Sequence, residues 1–284
     1  MSALVHYEPF VDECSDLFAQ QLEEVATAIA KSVGEGLDMR YWFQCYAFDV
    51  IGMITYGKRL GFLDRGDDVG GVIAALEEHL GYATLVGVYP ALHGYLFRLK
   101  NYLAGAKGAG RAYVLRFTKE RIRECQVAPK AATATTATTA AMDEQSEAVA
   151  TEDFLARFLA KHTADPSGFT SFHVLAGCVA NMVAGSDTTA ISLSAVLYYL
   201  LKYPKSLQKL RDEIDALTEQ GGLSALPTFK ESQQMPYLQA VIKEALRLHP
   251  ATGLPLERVV PHGGATISGG FFPQGVRSVY TCFL

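Results

Sequence analysis

The sequence has 284 residues, of which 49% are hydrophobic and 19% are charged, and this composition excludes a disordered or fibrous protein. The formal net charge of −5 comes without a strongly basic segment, so the sequence does not indicate a nucleic-acid-binding protein. The 5 cysteines are widely spaced without a Cys-x-x-Cys pair, which argues against a disulfide framework or a zinc ribbon and fits a reducing compartment.

Residues 1–127 predict a series of helices. The first ten positions contain His6 and Glu8 and have no apolar core, which argues against a signal peptide or an N-terminal membrane anchor. Residues 58–71 are rich in turn formers and predict a loop. Apolar residues at helical spacing predict five helices: Asp12–Val33, Tyr41–Tyr56, Val72–Leu80, Ala91–Tyr102 and Gly110–Gln126.

Residues 128–150 interrupt this pattern. Positions 131–141 contain only alanine and threonine, and an acidic stretch follows. Such a composition predicts a flexible surface connection. It could mark a domain boundary, but a long insertion within one domain is favoured, because the entropic cost of a loop rises only slowly with its length.

The second half predicts more helices and then short strands. Gly269-Gly270 and Gly275 suggest hairpin turns near the end. The fold class is therefore mainly α, with short C-terminal β-hairpin strands. The predicted helices are Thr151–His162, Phe172–Lys202, Pro204–Thr218 and Pro236–Leu248, and the predicted strands are Leu256–Val260 and Ala265–Ile267.

The helix predicted at Phe172–Lys202 is apolar and about 45 Å long at 1.5 Å per residue, so a transmembrane helix has to be considered. Asp187 stands at its centre, where an acid costs roughly 2.5–3.5 kcal/mol on insertion scales. Several serine and threonine residues add to that cost. A buried core helix is the preferred prediction.

The middle of this helix, Ala184–Thr189, is unusual for a purely structural element. Gly185 costs about 1 kcal/mol relative to alanine in a helix interior. A small pair such as Ala184-Gly185 lets a flat ligand approach the backbone, and an acid beside a hydroxyl, Asp187-Thr188, can pass a proton into a dry pocket. Each feature alone fits ordinary packing. Together they predict a groove that faces a cofactor.

A second motif, Glu244-x-x-Arg247, lies on the last predicted helix. Its two side chains are three residues apart and share one helix face. Taken alone, the pair fits an exposed ion pair of small energetic weight.

With these two motifs in this order, the chain resembles the cytochrome P450 family, and 46–62 resembles a mid-domain helix and loop of its filamentous-fungal members. The resemblance implies a partial cytochrome P450 fold, a helical bundle around a long central helix. It also implies that residues 254–259 form the strand after the Glu-x-x-Arg helix, and that residues 267–275 form the following hairpin.

The resemblance also implies roles for individual residues. Asp187 and Thr188 would be catalytic, delivering protons to the oxygen that is activated. Ala184 and Gly185 would leave room for the haem and for oxygen, with Thr189 as a hydrogen-bonding neighbour.

Outside the long helix, the resemblance implies three more functional residues. Glu244 and Arg247 would form a buried structural pair that locks the haem-binding core. Arg258 would contact a haem propionate, although an exposed strand arginine is an equal alternative.

For an intact family member, the resemblance implies haem iron as cofactor, O₂ and a small apolar organic substrate. Electrons would come from NADPH through NADPH–cytochrome P450 reductase, and the setting would be fungal secondary metabolism at the cytosolic face of the endoplasmic reticulum membrane. Because this chain shows no N-terminal anchor, it would by itself be cytoplasmic or of unknown location. The aromatic stretch Leu85–Leu103 lies where the family has its substrate-access roof.

The chain departs from the family at the haem-ligating segment, Phe-x-x-Gly-x-x-x-Cys-x-Gly. Phe272, Gly275 and Arg277 resemble its beginning, but Val279 stands at the cysteine position and Cys282 comes three residues late. Phe272 and Gly275 fit a hairpin better. The sequence therefore predicts no axial ligand and no metal-binding residue.

We therefore interpret 1–284 as an incomplete cytochrome P450 domain. It comprises a helical part at 1–127, the loop at 128–150, the long helix and Glu-x-x-Arg helix within 151–250, and a β segment with a divergent tail at 251–284. A premature stop, a retained intron or a frameshift would explain that tail.

The chain alone is expected to be inactive. The alternatives are a non-catalytic helical remnant, a weak ligand-binding protein, or an unrelated helical membrane or interaction protein, which the two ordered motifs disfavour.

Overall fold

The fold is described by a computed structural model over residues 5–29, 36–104, 110–127, 152–253 and 256–280. Within these ranges the chain forms eleven α-helices and four short β-strands, which confirms the mainly α prediction. The predicted connection at 128–150, the predicted helix end at 30–33 and Cys282 lie outside the described residues.

The chain divides into two compact units. The first comprises Met1–Ala190 and Leu223–Phe229, and the second comprises Ile191–Gly222 and Lys230–Leu284. The helices, in chain order, are α1 (Glu8–Ile29), α2 (Met39–Tyr56), α3 (Phe62–Arg65), α4 (Val72–Val88), α5 (His93–Ala104), α6 (Gly110–Val127), α7 (Phe154–Ala164), α8 (Ser171–Lys202), α9 (Pro204–Glu219), α10 (Phe229–Ser232) and α11 (Pro236–Leu248).

Two helices of the first unit differ from the prediction. Helix α4 continues past Gly81 to Val88, because one glycine inside a helix costs only about 1 kcal/mol and does not by itself end it. The helix stops where Tyr89 precedes Pro90, since a residue before proline avoids the α conformation. Helix α3 is a single turn inside the loop predicted at 58–71.

Helix α2 is the centre of the first unit. The Asp38 carboxylate caps its N-terminus by accepting a hydrogen bond from Tyr41 N at 3.2 Å, and Gly57 ends it in the left-handed conformation, with φ of 66°. Phe48 on α2 stacks on Phe62 of α3 with ring centroids 4.7 Å apart. The buried core around them also contains Trp42, Cys45, Leu63, Val72, Leu76, Val114, Phe117, Val174, Cys178 and Met182.

The Asp49 carboxylate attaches the loop after α2 to the helix. Asp49 is fully buried. Its Oδ1 accepts hydrogen bonds from the backbone N–H groups of residues 60, 61 and 62 at 2.7, 2.8 and 3.3 Å, and its Oδ2 accepts one from Leu63 N at 2.8 Å. The backbone N–H groups at the start of a helix have no acceptor within that helix. The Asp49 side chain supplies these acceptors for α3.

Helix α8 buries one stripe of its surface. Val174, Cys178, Met182, Ser186 and Ala190 are buried at four-residue intervals, the spacing of one helix face. Among the described residues, α8 is the one helix long and apolar enough to cross a membrane, and 28% of its most apolar window is buried. The part of α8 in the first unit thus buries one face, and its exposed residues include Ala184, Thr188 and Thr189 as well as Phe172.

The second unit joins the end of α8 to α9, α11 and the strands. The Glu213 carboxylate on α9 accepts hydrogen bonds from Tyr237 N and Leu238 N at 2.8 and 2.9 Å. These two amides lie in the first turn of α11, where backbone N–H groups have no partner within the helix. A carboxylate from a neighbouring helix therefore caps α11, as Asp49 caps α3.

The four strands form two antiparallel pairs, β1 (Leu256–Val259) with β4 (Arg277–Tyr280) and β2 (Ala265–Ile267) with β3 (Gly270–Phe272). The turn between β2 and β3 is Ser268-Gly269, with φ of 50° and 81°, as a tight two-residue hairpin requires. Strand β4 was not predicted, because residues 276–284 were interpreted as a divergent tail. A strand of four residues is defined mainly by its partner, here β1, and weakly by its own pattern.

We predict that Asp49→Asn lowers the free energy of unfolding by about 2–4 kcal/mol, because an amide cannot accept four N–H hydrogen bonds with the strength of a carboxylate. Urea denaturation measures the loss. The control is Asp64→Asn, which weakens only the exposed contact with Arg59 and should cost less than about 1 kcal/mol. Equal effects of the two substitutions would contradict the anchoring role of Asp49.

Candidate functional site

The segment Ala184–Thr189 presents two different faces in the structure. Ser186 is fully buried, and its hydroxyl donates a hydrogen bond to the Met182 carbonyl at 2.6 Å. Ala184 and Thr188, four residues apart, are exposed on another face, and Thr189 is exposed as well. One face thus holds the helix in the core, while the small and hydroxyl-bearing face stays open.

Gly185 is where α8 comes close to α2. A Cβ atom at this position would lie 2.7 Å from Cδ1 and 2.8 Å from Cγ1 of Ile51. One turn earlier on α8, the Asn181 amide donates a hydrogen bond to the Thr55 hydroxyl at 3.4 Å. Helix packing therefore accounts for the glycine, since any side chain would overpack the contact. Its role beside a cofactor stays a prediction.

The Thr188 hydroxyl donates a hydrogen bond to the Ala184 carbonyl at 2.7 Å. This is the usual back-bond of a threonine within a helix, and it keeps the hydroxyl on the same face as the Ala184 methyl group. The open face of α8 therefore offers a small side chain and a hydroxyl that can exchange its hydrogen-bond partner.

Asp187 is half-buried between the two faces. Its pKa is raised above the ordinary value, mainly because burial disfavours the charged carboxylate. The Arg40 guanidinium lowers this pKa, the Glu77 carboxylate raises it, and the Gln44 side chain lowers it. A carboxyl in these surroundings holds a proton at a higher pH than a solvated aspartate does, as proton-transferring groups require.

The sequence did not indicate the three residues that surround Asp187. Arg40 and Gln44 lie on α2 and Glu77 lies on α4, far from Asp187 along the chain. The one available signal was Gln44, a polar residue in the otherwise apolar stretch from Trp42 to Phe48.

In the second unit, Glu244 and Arg247 form the predicted pair. Arg247 Nε donates to Glu244 Oε2 and Arg247 Nη2 donates to Glu244 Oε1, both at 2.7 Å, and this contact lowers the pKa of Glu244. The side chains are 57% and 56% exposed, whereas the resemblance implied a buried pair. Arg258 is exposed on β1, opposite Ser278, and its contact with a propionate stays a prediction.

The described cysteines do not offer a thiolate for a metal. Cys14, Cys45 and Cys178 are fully buried, and burial raises the pKa of each thiol to about 12, so all three are protonated at neutral pH. Cys125 is half-buried, and its Sγ lies 3.9 Å from the Tyr56 carbonyl. In the part of the chain that the structure describes, no three His, Cys, Asp or Glu side chains cluster as metal ligands would.

Helices α4 and α5 form an open cleft of about 400 Å³ in the first unit. Four leucines line it, together with Tyr82 and the paired charges of Glu78 and Lys100, 3.1 Å apart. The cleft lies within the stretch 85–103 and residues next to it. This stretch also carries exposed apolar side chains: Leu85, Val88, Tyr89, Leu92, Tyr95, Phe97, Leu99, Tyr102 and Leu103.

Comparison with known proteins matches residues 1–281 to the family model described as "Cytochrome P450". A cytochrome P450 monooxygenase of Aspergillus terreus is 38% identical over 97% of this chain and 53% of its own length. A pisatin demethylase of Fusarium vanettenii is 36% identical over 98% and 49%, and the cytochrome P450 monooxygenase cicH of Emericella nidulans is 36% identical over 98% and 52%. The chain spans about half the length of the curated relatives it matches.

We predict that Gly185→Ala destabilises the first unit, because the new methyl group would overlap Ile51. The matched control is Gly81→Ala in α4, where a Cβ meets nothing within 4 Å and the gain in helix propensity acts alone. The free energies of unfolding of the two variants, measured in urea, should differ by roughly 1–3 kcal/mol. In an Ile51→Ala background the effect of Gly185→Ala should largely disappear, and persistence of the full loss would refute this packing explanation.

We predict that Asp187→Asn is more stable than the parent at pH 7 and equally stable below about pH 3.5, where both side chains are neutral. The sign follows from the raised pKa of Asp187, which makes the parent lose stability as the pH rises through the folded-state value. Urea midpoints measured between pH 3 and pH 8 check this.

The control for the Asp187 experiment has the opposite sign. Hydrogen bonds from Gly168 N and the Ser167 hydroxyl lower the pKa of the exposed Asp165. Asp165→Asn should therefore be less stable than the parent at pH 7. If Asp187→Asn behaved in the same way as Asp165→Asn, the assignment of a burial-raised pKa to Asp187 would be wrong.

Proposed function

The chain belongs to the cytochrome P450 family, and from that premise we propose that the whole protein is a haem-dependent monooxygenase that oxidises a small apolar organic molecule. Asp187 and Thr188 are the proposed catalytic residues, and Ala184, Gly185, Thr189 and Arg258 are the proposed cofactor-binding residues.

The observation that carries this proposal is the arrangement of α8. Ala184 and Thr188 are exposed on one face, so a flat group can approach the helix there without meeting a large side chain. Asp187 lies next to this face and has a raised pKa because of its burial. A small surface, a hydroxyl and a proton-holding carboxyl thus occur within five consecutive residues.

The described residues fit the oxygen side of a haem and do not fit its thiolate side. Haem iron supplies oxygen activation when it is held by a cysteine thiolate, but the buried Cys14, Cys45 and Cys178 thiols, with pKa values of about 12, do not supply that ligand. The printed sequence also contains no Phe-x-x-Gly-x-x-x-Cys-x-Gly segment.

The chain's own residues handle protons in this proposal. Asp187 takes up a proton and holds it in half-buried surroundings, because desolvation favours the neutral carboxyl. The neighbouring Thr188 hydroxyl, now donated to the Ala184 carbonyl, can instead donate toward a group on the open face. Such proton transfer by positioned side chains contributes roughly 10²–10⁴-fold to a rate.

The substrate, partners and location are part of the same proposal. The leucine-lined cleft between α4 and α5 and the exposed aromatic residues Tyr95 and Tyr102 favour an apolar substrate that enters through this surface. We propose NADPH–cytochrome P450 reductase as the electron donor and the cytosolic face of the endoplasmic reticulum membrane as the site of action, as is general for fungal members of the family.

The test is the absorption spectrum of two proteins expressed with ample haem, reduced and exposed to carbon monoxide. One is the 284-residue chain, and the other is a version extended to the length of its relatives with a Phe-x-x-Gly-x-x-x-Cys-x-Gly segment. We expect a strongly red-shifted, thiolate-type Soret band from the extended protein, because a thiolate ligand pushes electron density onto the iron. The 284-residue chain should lack that band.

Two results would change the proposal. A thiolate-type band from the 284-residue chain would show that one of its own cysteines ligates the iron. Absence of the band from the extended protein, at normal folding by circular dichroism, would favour the alternative of a non-catalytic helical remnant.

A further inference from the structure

The cleft between α4 and α5 is built from two helix faces that meet along an apolar surface. Its residues recur at three- and four-residue spacing on each helix: Glu78, Tyr82 and Leu85 on α4, and Leu96, Leu99, Lys100 and Leu103 on α5. Leu85, Leu99 and Leu103 are 47%, 53% and 72% exposed. The cleft volume of about 400 Å³ lies in the range of small-molecule sites, roughly 300–1,000 Å³. An apolar ligand of modest size therefore fits here.

Lys100 gives this apolar cleft a cationic group. It is the one cation among the described residues that line the cleft, and its side chain is only 21% exposed. Its Nζ lies 3.1 Å from Oε1 of Glu78 and donates a hydrogen bond to the Glu78 carbonyl at 3.4 Å. The same Nζ lies 4.7 Å from the centre of the Tyr82 ring. These contacts hold the ammonium group at the wall of the cleft, so it does not extend into solvent.

The Glu78 carboxylate is a weak competitor for an anion that binds at Lys100. The Glu78 side chain is 54% exposed, and ion pairs of exposed side chains contribute little. An ammonium group has three N–H donors, and the two contacts with Glu78 use two of them. The Tyr82 hydroxyl is already paired with His93 Nδ1 at 2.9 Å. Recognition of a polar ligand group in this cleft therefore depends on Lys100.

We propose that the α4–α5 cleft binds an apolar molecule that carries a carboxylate, as a fatty carboxylate does. The carboxylate pairs with Lys100, and the carbon chain covers the leucines. Contact with the leucines supplies affinity for any apolar chain, whereas the charge of Lys100 selects the anion. The inference deepens the proposed entry of an apolar substrate at this surface, and it rests on that proposal in taking the bound molecule as the substrate class.

The test is an NMR titration of the 284-residue chain labelled with ¹³C in its leucine methyl groups, with the cleft leucines assigned by single substitutions to isoleucine. The probes are decanoate, 1-decanol and decylammonium, which share one chain length and differ in charge. Decanoate should shift the cleft leucines and bind roughly fivefold more tightly than 1-decanol, because a partly sheltered ion pair contributes on that order. Decylammonium should bind least tightly, since it meets the like charge of Lys100.

Two substitutions should move decanoate binding in opposite directions. Lys100→Met keeps an unbranched side chain and removes the charge, so it should abolish the preference for decanoate over 1-decanol. Glu78→Gln removes the competing carboxylate and should strengthen decanoate binding. The matched control is Lys209→Met, because Lys209 lies 4.5 Å from the centre of the Tyr237 ring in the second unit, and its loss should leave decanoate binding unchanged.

Three results would overturn the inference. Decanoate and 1-decanol could bind with equal affinity, or the shifted leucines could lie outside the cleft. Neutral phosphatidylcholine vesicles could shift the cleft leucines while decanoate does not, and a membrane surface would then be the occupant. If Lys100→Met does not fold, the order of affinities of the three probes and the effect of Glu78→Gln decide.

The titration needs no haem, so its failure is distinguishable from failure of the proposed function. A thiolate-type band from the extended protein, together with no preference for decanoate, would refute this inference alone. Absence of that band, together with an intact preference for decanoate, would refute the proposed function and leave the α4–α5 cleft as a carboxylate-binding site.

Discussion

Gly185 on α8 packs against Ile51 on α2, and the segment Ala184–Thr189 is arranged around this contact. Because Gly185 has no side chain, Ile51 can occupy the space beside the helix backbone. This approach brings Asn181 to Thr55 and Asp187 within reach of the groups on α2. It also turns the opposite side of the motif, with Ala184 and Thr188, outward.

Asp49 and Asp187 differ in the groups that surround their carboxylates, and their expected roles differ accordingly. Asp49 is fully buried but accepts four backbone N–H hydrogen bonds, and its charge fixes the loop before α3. Asp187 is only half-buried, and burial raises its pKa, with a single amide and a distant guanidinium favouring its charge. The four backbone donors around Asp49 thus fix a loop, whereas burial raises the pKa of Asp187.

Periodicity predicted most helices because each buries one face, and the spacing of apolar residues records that face. Periodicity did not predict the observed element where the local sequence signals were ambiguous. The helix predicted at Val72–Leu80 continues to Val88, because one interior glycine does not by itself end a helix. Strand β4 exists through its pairing with β1, and a four-residue pattern was too short to indicate it. The spacing of Glu244 and Arg247 alone indicated an exposed ion pair, as the structure has it, whereas the resemblance implied a buried pair.

The sequence by itself determined the family and the helical class, because these follow from local pattern and from motifs in a fixed order. The proton-handling roles of Asp187 and Thr188 stay a prediction. Only the tertiary structure decided that Gly185 serves the contact with Ile51, that Ser186 is buried while Thr188 is exposed, and which groups surround Asp187. The physical reason is that desolvation and Coulomb interaction depend on distances in space, and α2, α4 and α8 approach one another only when the chain has folded.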